Sequence, residues 1–274
     1  MSFCKIGIIT NEKKDESRFY TKNLTDYLSA KSGVGVYTEE NCADLYGVCD
    51  LLIILGGDGT ILKAAAKAAA GDIPMIGLNL GRIGYMSEIE TDEIKLLDKL
   101  FSGDYKIQSR MMIDVGIIKA GGEISRAGAA LNDAVVTHGS FAKLIEIELA
   151  CDGVGVTKYR ADGVIAATPT GSTAYSMSAG GPIIDPGVEC FCVTPICPHS
   201  FINRPLIFSH GSVLDITNKN NRAEVYLTID GKINIELAAG DIVRLKKSEY
   251  AAKLITIKQH GFFDVVRAKI SEKI

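Results

Sequence analysis

The sequence predicts an α/β N-terminal domain with a mostly parallel sheet, followed by an all-β, sandwich-like C-terminal domain. Strand and helix patterns alternate over the first hundred residues, whereas strand patterns follow one another after about Tyr105. We therefore place the first domain at residues 1–105 and the second, β-rich domain at 106–251. The tail, residues 252–274, is expected to pack back onto the first domain.

The first domain opens with the short apolar strand KIGIIT, and apolar residues at helical spacing predict a helix over 16–31. A second strand is predicted at 33–38. The run CDLLIILGG at 49–57 is almost unbroken in its apolar character, which is typical of a strand covered on both faces. This third strand should therefore lie inside the sheet.

An Ala-rich helix is predicted over 60–71, with Gly71 placed to end it. The run IPMIGLNLG at 73–81 predicts another strand, and 91–103 predicts a helix with acidic residues in its first turn. Such β-α-β alternation favours a parallel sheet with helices on its faces.

Seven strand-like runs fill the second domain, and Gly, Asn and Asp pairs separate them, as is typical of antiparallel sheets. The polar segment TPTGSTAYSMSAGGP at 168–182 interrupts these runs. It predicts a loop and a short helix that Gly180, Gly181 and Pro182 end. The tail predicts a strand followed by a short amphipathic element.

Charge and hydropathy argue against nucleic acid and membranes as partners. The 274 residues carry a formal net charge of −3, and no basic stripe is present. No apolar run is long enough to cross a bilayer, and the N-terminus lacks the layout of a signal peptide. We expect a cytoplasmic protein.

The seven cysteines include no CxxC pair and are odd in number, which predicts buried, reduced thiols. Three of them gather with His199 in CFCVTPICPHS, at Cys190, Cys192 and Cys197. A metal site there is the less favoured alternative, because the spacing matches no structural zinc pattern. No metal-binding residue is predicted.

The stretch Gly56-Gly57-Asp58-Gly59-Thr60 lies where the buried strand turns into the Ala-rich helix. Glycines and a helix N-terminus attract phosphate, although this turn matches neither a P-loop nor GxGxxG. The same helix end favours an ionised Asp58. A carboxylate beside phosphates suits phosphoryl transfer, in which it accepts the proton of the attacking hydroxyl. Alternatively, Asp58 only caps the helix and the glycines form a tight turn.

The GGDGT stretch resembles the signature shared by NAD kinases, diacylglycerol-type lipid kinases and, more distantly, phosphofructokinases. Five further stretches resemble bacterial and archaeal NAD kinases in order and spacing, so that the resemblance covers nearly the whole chain. They are GLNLGRIGYMSE (77–88), LNDAVV (131–136), RADGVIAATPTGSTAYSMSAGGPII (160–184), TPICPHSFINRP (194–205) and TIDGK (228–232).

The resemblance implies transfer of the γ-phosphate of ATP to the 2′-hydroxyl of the adenosine ribose of NAD, which forms NADP. Mg²⁺ or another divalent cation would accompany ATP. The resemblance also implies an α/β domain, a β-rich domain that carries most NAD contacts, and a homo-oligomer, either dimer or tetramer.

By position in the family's motifs, Asp58 would be the general base, and Gly57 and Gly59 would contact phosphate through their backbones. Lys63, about one turn into the helix, would reach a phosphate or the ribose; the alternative is a solvated lysine. Lys143 aligns with a site-lining position of variable identity.

Asn132 and Asp133 match the family's Asn-Glu pair that hydrogen-bonds a ribose, with Asp one methylene shorter. The alternative for this pair is a simple turn. Arg160 and Asp162 match positions that line the NAD site, with Asp162 at the nicotinamide end; the alternative is a surface ion pair. Lys232 stands where the family usually has Gln.

The resemblance also implies an adenine cradle. Its small residues leave room for a flat base and its tyrosine offers an aromatic face, whereas the alternative is a Ser/Thr-rich loop with a helix cap. The cradle residues are Thr173, Ala174, Tyr175, Ser176, Met177 and Ser178.

Two other functions compete with an NAD kinase. A lipid kinase of the diacylglycerol type would share the glycine-rich turn but needs no adenine cradle. A catalytically inactive NAD(P)-binding regulator would keep the fold, although the intact Asp58 argues against it.

Overall fold

The structure, a computed structural model, describes residues 3–81, 84–139, 144–199, 203–220, 223–259 and 261–271. The chain forms two compact units. Unit 1 comprises Met1–Arg110 and Tyr250–Ile274, and unit 2 comprises Met111–Glu249. Both divisions fall inside long strands, Lys106–Ile118 and Ile242–Thr256, so no turn marks them in the sequence. For this reason they differ by a few residues from the boundaries drawn at 105 and 251.

The strands, in chain order, are β1 (Lys5–Thr10), β2 (Gly35–Thr38), β3 (Leu51–Gly56), β4 (Met75–Asn79), β5 (Ser87–Glu90), β6 (Lys106–Ile118), β7 (Ile124–Ala130), β8 (Asp133–His138), β9 (Ile145–Cys151), β10 (Val154–Ala161), β11 (Gly163–Ala167), β12 (Cys190–Ile196), β13 (Leu206–Ser209), β14 (Leu214–Asn218), β15 (Val225–Ile229), β16 (Ile233–Leu237) and β17 (Ile242–Thr256). The helices are α1 (Phe19–Ser29), α2 (Leu45–Val48), α3 (Asp58–Ala70), α4 (Asp98–Ser102), α5 (Tyr175–Ser178) and α6 (Phe262–Ser271). Two 3₁₀ helices, Thr91–Leu97 and Gly171–Thr173, precede α4 and α5.

Unit 1 is built on a parallel sheet in the order β4-β3-β1-β2, which confirms the predicted α/β class. β3 is buried along its whole length, in keeping with its unbroken apolar run. The buried face of α3 includes Ile61, Ala64 and Ala68, and these small alanines let the helix lie close to the sheet. Gly77 in β4 completes this fit, because a Cβ there would stand 2.7 Å from Ile61 Cδ1.

The start of α1 differs from the sequence prediction. The helix begins at Phe19 rather than at residue 16. The buried Asp15 carboxylate accepts the N–H groups of Tyr20 and Thr21 at 3.1 and 2.9 Å, which fixes the first turn at that point. Asp15 therefore closes the turn that leads out of β1.

The single helix predicted over 91–103 is wrong. A 3₁₀ helix, Thr91–Leu97, runs into α4 with non-helical backbone at Glu93. Gly103 ends α4 with a φ of 80°, a left-handed conformation that glycine adopts without strain. A periodic apolar pattern cannot separate these two helix types, because both bring every third or fourth residue to one face.

The end of the last strand, from Tyr250 onward, and the last helix belong to unit 1. Leu254 of β17 pairs in parallel with Met75 of β4. The buried Glu88 carboxylate accepts the N–H groups of Ile257 and Lys258 at 2.7 and 2.6 Å. These contacts hold the segment before α6 against β5.

Unit 2 is an antiparallel sandwich, which confirms the predicted all-β class. One sheet has the order β13-β12-β11-β8-β15-β16, and the other contains β10-β9-β14-β17 with β6 and β7. One core joins the two sheets, with Ile147 and Val243 from one and Val164 and Val193 from the other. The alternation of inward apolar and outward polar residues accounts for this packing.

The cysteines depart from the prediction of uniformly buried thiols. No disulfide bond joins any of the seven, all of which lie in the described ranges; Cys49, Cys190 and Cys192 are buried, but Cys4 and Cys197 are exposed. Cys197 has a left-handed φ of 44°, so it lies in a tight turn just after β12 rather than within the sheet. The strand pattern around it ends one residue too early to bury it.

None of the helices in the described ranges has both the length and the apolar character that crossing a bilayer requires.

We predict that Asp241→Ala lowers the free energy of unfolding by about 2–3 kcal/mol, because two backbone N–H groups lose their acceptor. The buried Asp241 carboxylate accepts the N–H groups of Ala120 and Ala238 at 3.1 and 3.0 Å, and Lys119 Nζ at 2.8 Å. Urea unfolding measures the loss. Asp104→Ala is the control, because that exposed ion pair should contribute under about 1 kcal/mol. Equal midpoint shifts in the two variants would contradict the prediction.

Candidate active site

A glycine-rich turn joins β3 to α3. Gly57 caps the helix in an extended conformation, and Asp58 is its first residue, two positions earlier than predicted. A Cβ on Gly56 would stand 2.3 Å from Thr60 Oγ1, so glycine is required beneath the first turn. Gly59 is exposed, with open space where a Cβ would stand. The N–H groups of Thr60 and Ile61 donate to the Gly57 carbonyl at 2.8 and 3.4 Å. The N–H groups of Asp58 and Gly59 are therefore the ones at this helix start that can receive a phosphate.

The Asp58 carboxylate is half-buried and held by a neighbouring segment. Oδ2 accepts the N–H of Tyr85 at 2.8 Å, and Oδ1 accepts the N–H of Met86 at 3.1 Å. A Cβ on Gly84 would stand 1.9 Å from Asp58 Oδ1, so only glycine leaves room for the carboxylate. These bonds run to the segment before β5 and not to α3, which argues against a purely capping role for Asp58.

The segment that holds Asp58 is itself supported from two sides. Asn79, buried at the end of β4, donates to the Gly81 carbonyl at 2.6 Å and to the Glu90 carboxylate at 3.0 and 3.2 Å. On the other side, Lys269 of α6 lies 4.3 Å from the centre of the Tyr85 ring. The position of Asp58 therefore depends on residues from distant parts of the sequence.

In unit 2, Asp230 organises a second group of polar residues. It lies in a left-handed conformation, with a φ of 47°. Its carboxylate accepts three successive N–H groups, from Leu131, Asn132 and Asp133, at 2.9, 2.8 and 3.1 Å. The sequence does not single out Asp230 as a site residue, although the Asp-Gly pair in TIDGK signals a tight turn there.

The Asn132–Asp133 pair presents buried polar groups without partners. Asn132 Oδ1 has no hydrogen bond within the described residues, and none is seen there for the Asp133 carboxylate. Burial and the charge of Asp230 raise the pKa of Asp133 to about 7. Burial likewise raises the pKa of Asp230, although its three backbone hydrogen bonds oppose that shift. Buried acceptors of this kind suit a ligand with hydroxyl groups, because an unmet acceptor is costly.

The segment after β11 packs directly on this pair. A Cβ on Gly171 would stand 2.1 Å from the Asn132 carbonyl oxygen, so glycine permits the close approach. The Thr168 hydroxyl donates to the Leu131 carbonyl at 2.5 Å. The segment therefore packs against the Asn132–Asp133 pair through both a close backbone approach and a hydrogen bond.

The six predicted cradle residues differ in their exposure to solvent. Thr173 and Ser176 are buried, and their hydroxyls bond within the fold, to the Thr170 carbonyl at 3.2 Å and to Thr194 Oγ1 at 3.0 Å. Tyr175 is 46% exposed, and Ser178 is also exposed. Ala174 and Met177 are partly exposed. Four of the six are thus accessible to a ligand, whereas the other two shape the segment from within.

Tyr175 lies near the acidic residues of this group. Burial raises the pKa of its phenol, and the nearby charges of Cys197, Asp162 and Asp133 add to the effect. The part-exposed Asp162 has Oδ1 3.7 Å from His138 Nε2, and His138 Nδ1 lies 2.6 Å from the Gly139 carbonyl. The sequence does not single out His138, since it is the last residue of the ordinary strand β8.

The remaining predicted residues are exposed or undescribed. Arg160 is exposed and forms no ion pair with Asp162 in the described part of the chain, which removes the surface-pair alternative. Lys63 is exposed on α3. Lys232 is exposed just after Asp230, whose pKa its charge lowers slightly against the dominant effect of burial. Lys143 lies outside the described residues.

Two family models match this chain. The ATP-NAD kinase N-terminal domain matches residues 42–105, and the ATP-NAD kinase C-terminal domain matches residues 131–257. The NAD kinase of Lachnoclostridium phytofermentans is 40% identical over 283 residues, which cover 98% of this chain and 99% of that protein.

Two solved structures are similar along nearly the whole chain. Yeast NADH kinase complexed with NADH matches with a TM-score of 0.86 and 27% identity, covering 97% of this chain and 86% of that one. An NAD kinase from Archaeoglobus fulgidus in complex with ATP matches with a TM-score of 0.74 and 27% identity, covering 97% and 98%.

The raised pKa of Asp133 predicts a pH-dependent stability. The folded protein keeps this proton up to about pH 7, whereas the unfolded chain releases it near pH 4, so stability falls as the pH rises through that window. Asp133→Asn removes the buried titration. The variant should therefore gain stability relative to the parent between pH 5 and pH 8, by at most about 1.4 kcal/mol per pH unit. Urea midpoints at the two pH values measure this, and an unchanged difference would contradict it.

Proposed function

Because the chain belongs to the NAD kinase family, we propose that Asp58 is the general base of its reaction. The chain is an NAD kinase, a phosphotransferase that acts on a hydroxyl group of NAD. Neither the lipid kinase nor the inactive regulator finds support among its relatives. One observation carries the proposal. Asp58, the first residue of α3, is held by hydrogen bonds from the backbone amides of Tyr85 and Met86.

The proposed chemistry follows from that anchoring. The 2′-hydroxyl of the adenosine ribose gives its proton to Asp58 as its oxygen bonds to the γ-phosphorus of ATP, and the bond to the β-phosphate oxygen breaks. A carboxylate has about four lone-pair positions, so the two amide bonds leave Asp58 able to accept this proton. They also hold its side chain in one orientation, which favours proton transfer in a fixed geometry. Gly57 and Gly59 would contact the phosphates through their backbones.

We assign NAD recognition to the polar group of unit 2. The unpartnered Asn132 Oδ1 and the Asp133 carboxyl would bind ribose hydroxyls, as the family's Asn-Glu pair does. Tyr175 and its accessible neighbours Ala174, Met177 and Ser178 would contact adenine. Thr173 and Ser176 would keep the cradle in shape, because their hydroxyls already have partners.

Arg160, Asp162, Lys63, Lys143 and Lys232 complete the proposed set of ligand contacts. Asp162 would meet the nicotinamide end of NAD, with the His138 ring beside its carboxylate. Lys63 is free to turn toward a phosphate because it is exposed. The proposal for these five rests on their positions in the family's motifs.

A divalent cation would enter with ATP as part of the substrate. In the described residues, no group of three or more His, Cys, Asp and Glu side chains could cage a metal ion. Mg²⁺ is usually bound by one or two carboxylates together with substrate phosphates, so a site with few acidic ligands fits MgATP.

We also propose a cytoplasmic homo-oligomer, dimer or tetramer, from the family resemblance and from the lack of disulfide bonds among the seven described cysteines, which suits a reducing compartment. Light scattering of the purified chain would test the oligomer.

The direct test of function incubates the purified chain with NAD, ATP and Mg²⁺ and couples NADP formation to an NADP-specific dehydrogenase. NADH and dispersed diacylglycerol serve as parallel acceptors. NADP formation with no phosphorylated lipid is expected. Lipid phosphorylation, or tight NADP binding without turnover, would support one of the two rivals instead.

Asp58→Asn should lower kcat by at least about 100-fold, because Asn cannot accept the proton, while NAD binding stays largely intact. Steady-state kinetics and calorimetric titration with NAD measure the two effects. Asp72→Asn is the matched control, since Asp72 is exposed beyond the other end of α3 and pairs with Lys253. Near-normal NADP production by Asp58→Asn would overturn the assignment of the base.

A further inference from the structure

Lys14 lies beside the glycine-rich turn, although nothing in the sequence singled it out. Its ammonium nitrogen is 3.6 Å from the position that a Cβ on Gly57 would occupy and 3.1 Å from that of a Cβ on Gly81. The ammonium group therefore lies close to the backbone at two positions where no side chain is present. A Cβ on Gly57 would be in ordinary contact with the ammonium group, whereas one on Gly81 would require it to shift by a few tenths of an ångström.

The loop that carries Lys14 is fixed to the same turn. Asn11 donates its backbone N–H to the Leu55 carbonyl at 2.8 Å and its side-chain amide to Thr60 Oγ1 at 3.4 Å. The Lys14 N–H then donates back to the Asn11 carbonyl at 2.9 Å. Immediately after Lys14, the buried Asp15 caps the first turn of α1. Lys14 thus projects from a short loop that is anchored on both sides.

The charge of Lys14 has no acidic partner in the described part of the chain, unlike that of Lys31, Lys99, Lys253 or Lys258 in the same unit. Its ammonium group adds a full positive charge to the partial positive charge at the N-terminus of α3. A ligand that carries several negative charges would be attracted both by the Lys14 ammonium group and by the N-terminus of α3.

We propose that Lys14 binds the terminal phosphates of the ATP that the turn receives. The inference rests on the proposed function and deepens it, because it names the residue that holds the phosphoryl donor at the Asp58 turn. Lys14 takes no part in bond making. Its ammonium group donates hydrogen bonds to phosphate oxygens and offsets their charge beside the Asp58 carboxylate.

The test compares Lys14→Met with Lys13→Met, because Lys13 is the exposed neighbour on the same loop and has no atom within 4 Å of the positions that Cβ atoms on Gly57 and Gly81 would occupy. Lys14→Met should lower kcat/KM for ATP by about 10- to 100-fold, as expected for a lost hydrogen bond to a charged group. NAD affinity, titrated without ATP, should stay within about twofold, the range of an exposed, non-contacting side chain. Lys14→Arg should restore most of the ATP effect.

Binding of inorganic tripolyphosphate gives a second readout that does not need turnover. Its affinity should fall in Lys14→Met and not in Lys13→Met. Equal behaviour of the two variants in both assays would overturn the inference while leaving the kinase activity of the parent chain intact. If the parent forms no NADP, the proposed function fails, and tripolyphosphate binding still decides whether Lys14 holds phosphate.

Discussion

The proposed chemistry depends on one constraint: a carboxylate must lie at a phosphate-binding helix start without being neutralised or displaced. The Tyr85 and Met86 amides meet this requirement by holding both oxygens of Asp58. Gly84 makes it possible, because any side chain there would collide with the carboxylate. The glycines of the two motifs therefore serve one geometry: Gly84 leaves room for the acid, and Gly59 leaves the helix start open to the phosphate of the proposed reaction.

In unit 2, backbone amides again hold a carboxylate, that of Asp230, but here a second carboxyl group lies buried beside it. The Asp230 carboxylate accepts hydrogen bonds from three backbone amides and so shapes the turn at Asn132 and Asp133. The neighbouring Asp133 is left buried without a described partner, and its pKa rises to about 7. Asp230 is thus structural, while the proposed ribose contact would use the acceptors of Asp133 that no described residue fills. Burying Asp133 destabilises the fold, and a ligand that bonds to its carboxyl group offsets that loss of free energy.

Support for both groups comes from residues far apart in sequence. Asn79 and Lys269 flank the segment that holds Asp58, and Gly171 and Thr168 brace the Asn132 turn. Buried groups with so many partners resist substitution, because removing one leaves others unsatisfied. Two groups held by several hydrogen bonds and close contacts are consistent with a reaction in which orientation and electrostatics dominate catalysis.

Apolar periodicity and glycine-rich turns are local properties of a chain, so the α/β and all-β classes and the candidate Asp58 could be predicted from them. The sequence could not separate a 3₁₀ helix from an α-helix at 91–103, nor could it locate unit divisions that fall inside β6 and β17. Only the tertiary structure revealed that Gly84 clears space for Asp58, that Asp230 organises the Asn132 turn, and that Lys14 reaches Gly57 and Gly81. These are contacts between segments distant in sequence, and packing decides them, since no local pattern encodes which backbone a side chain will meet.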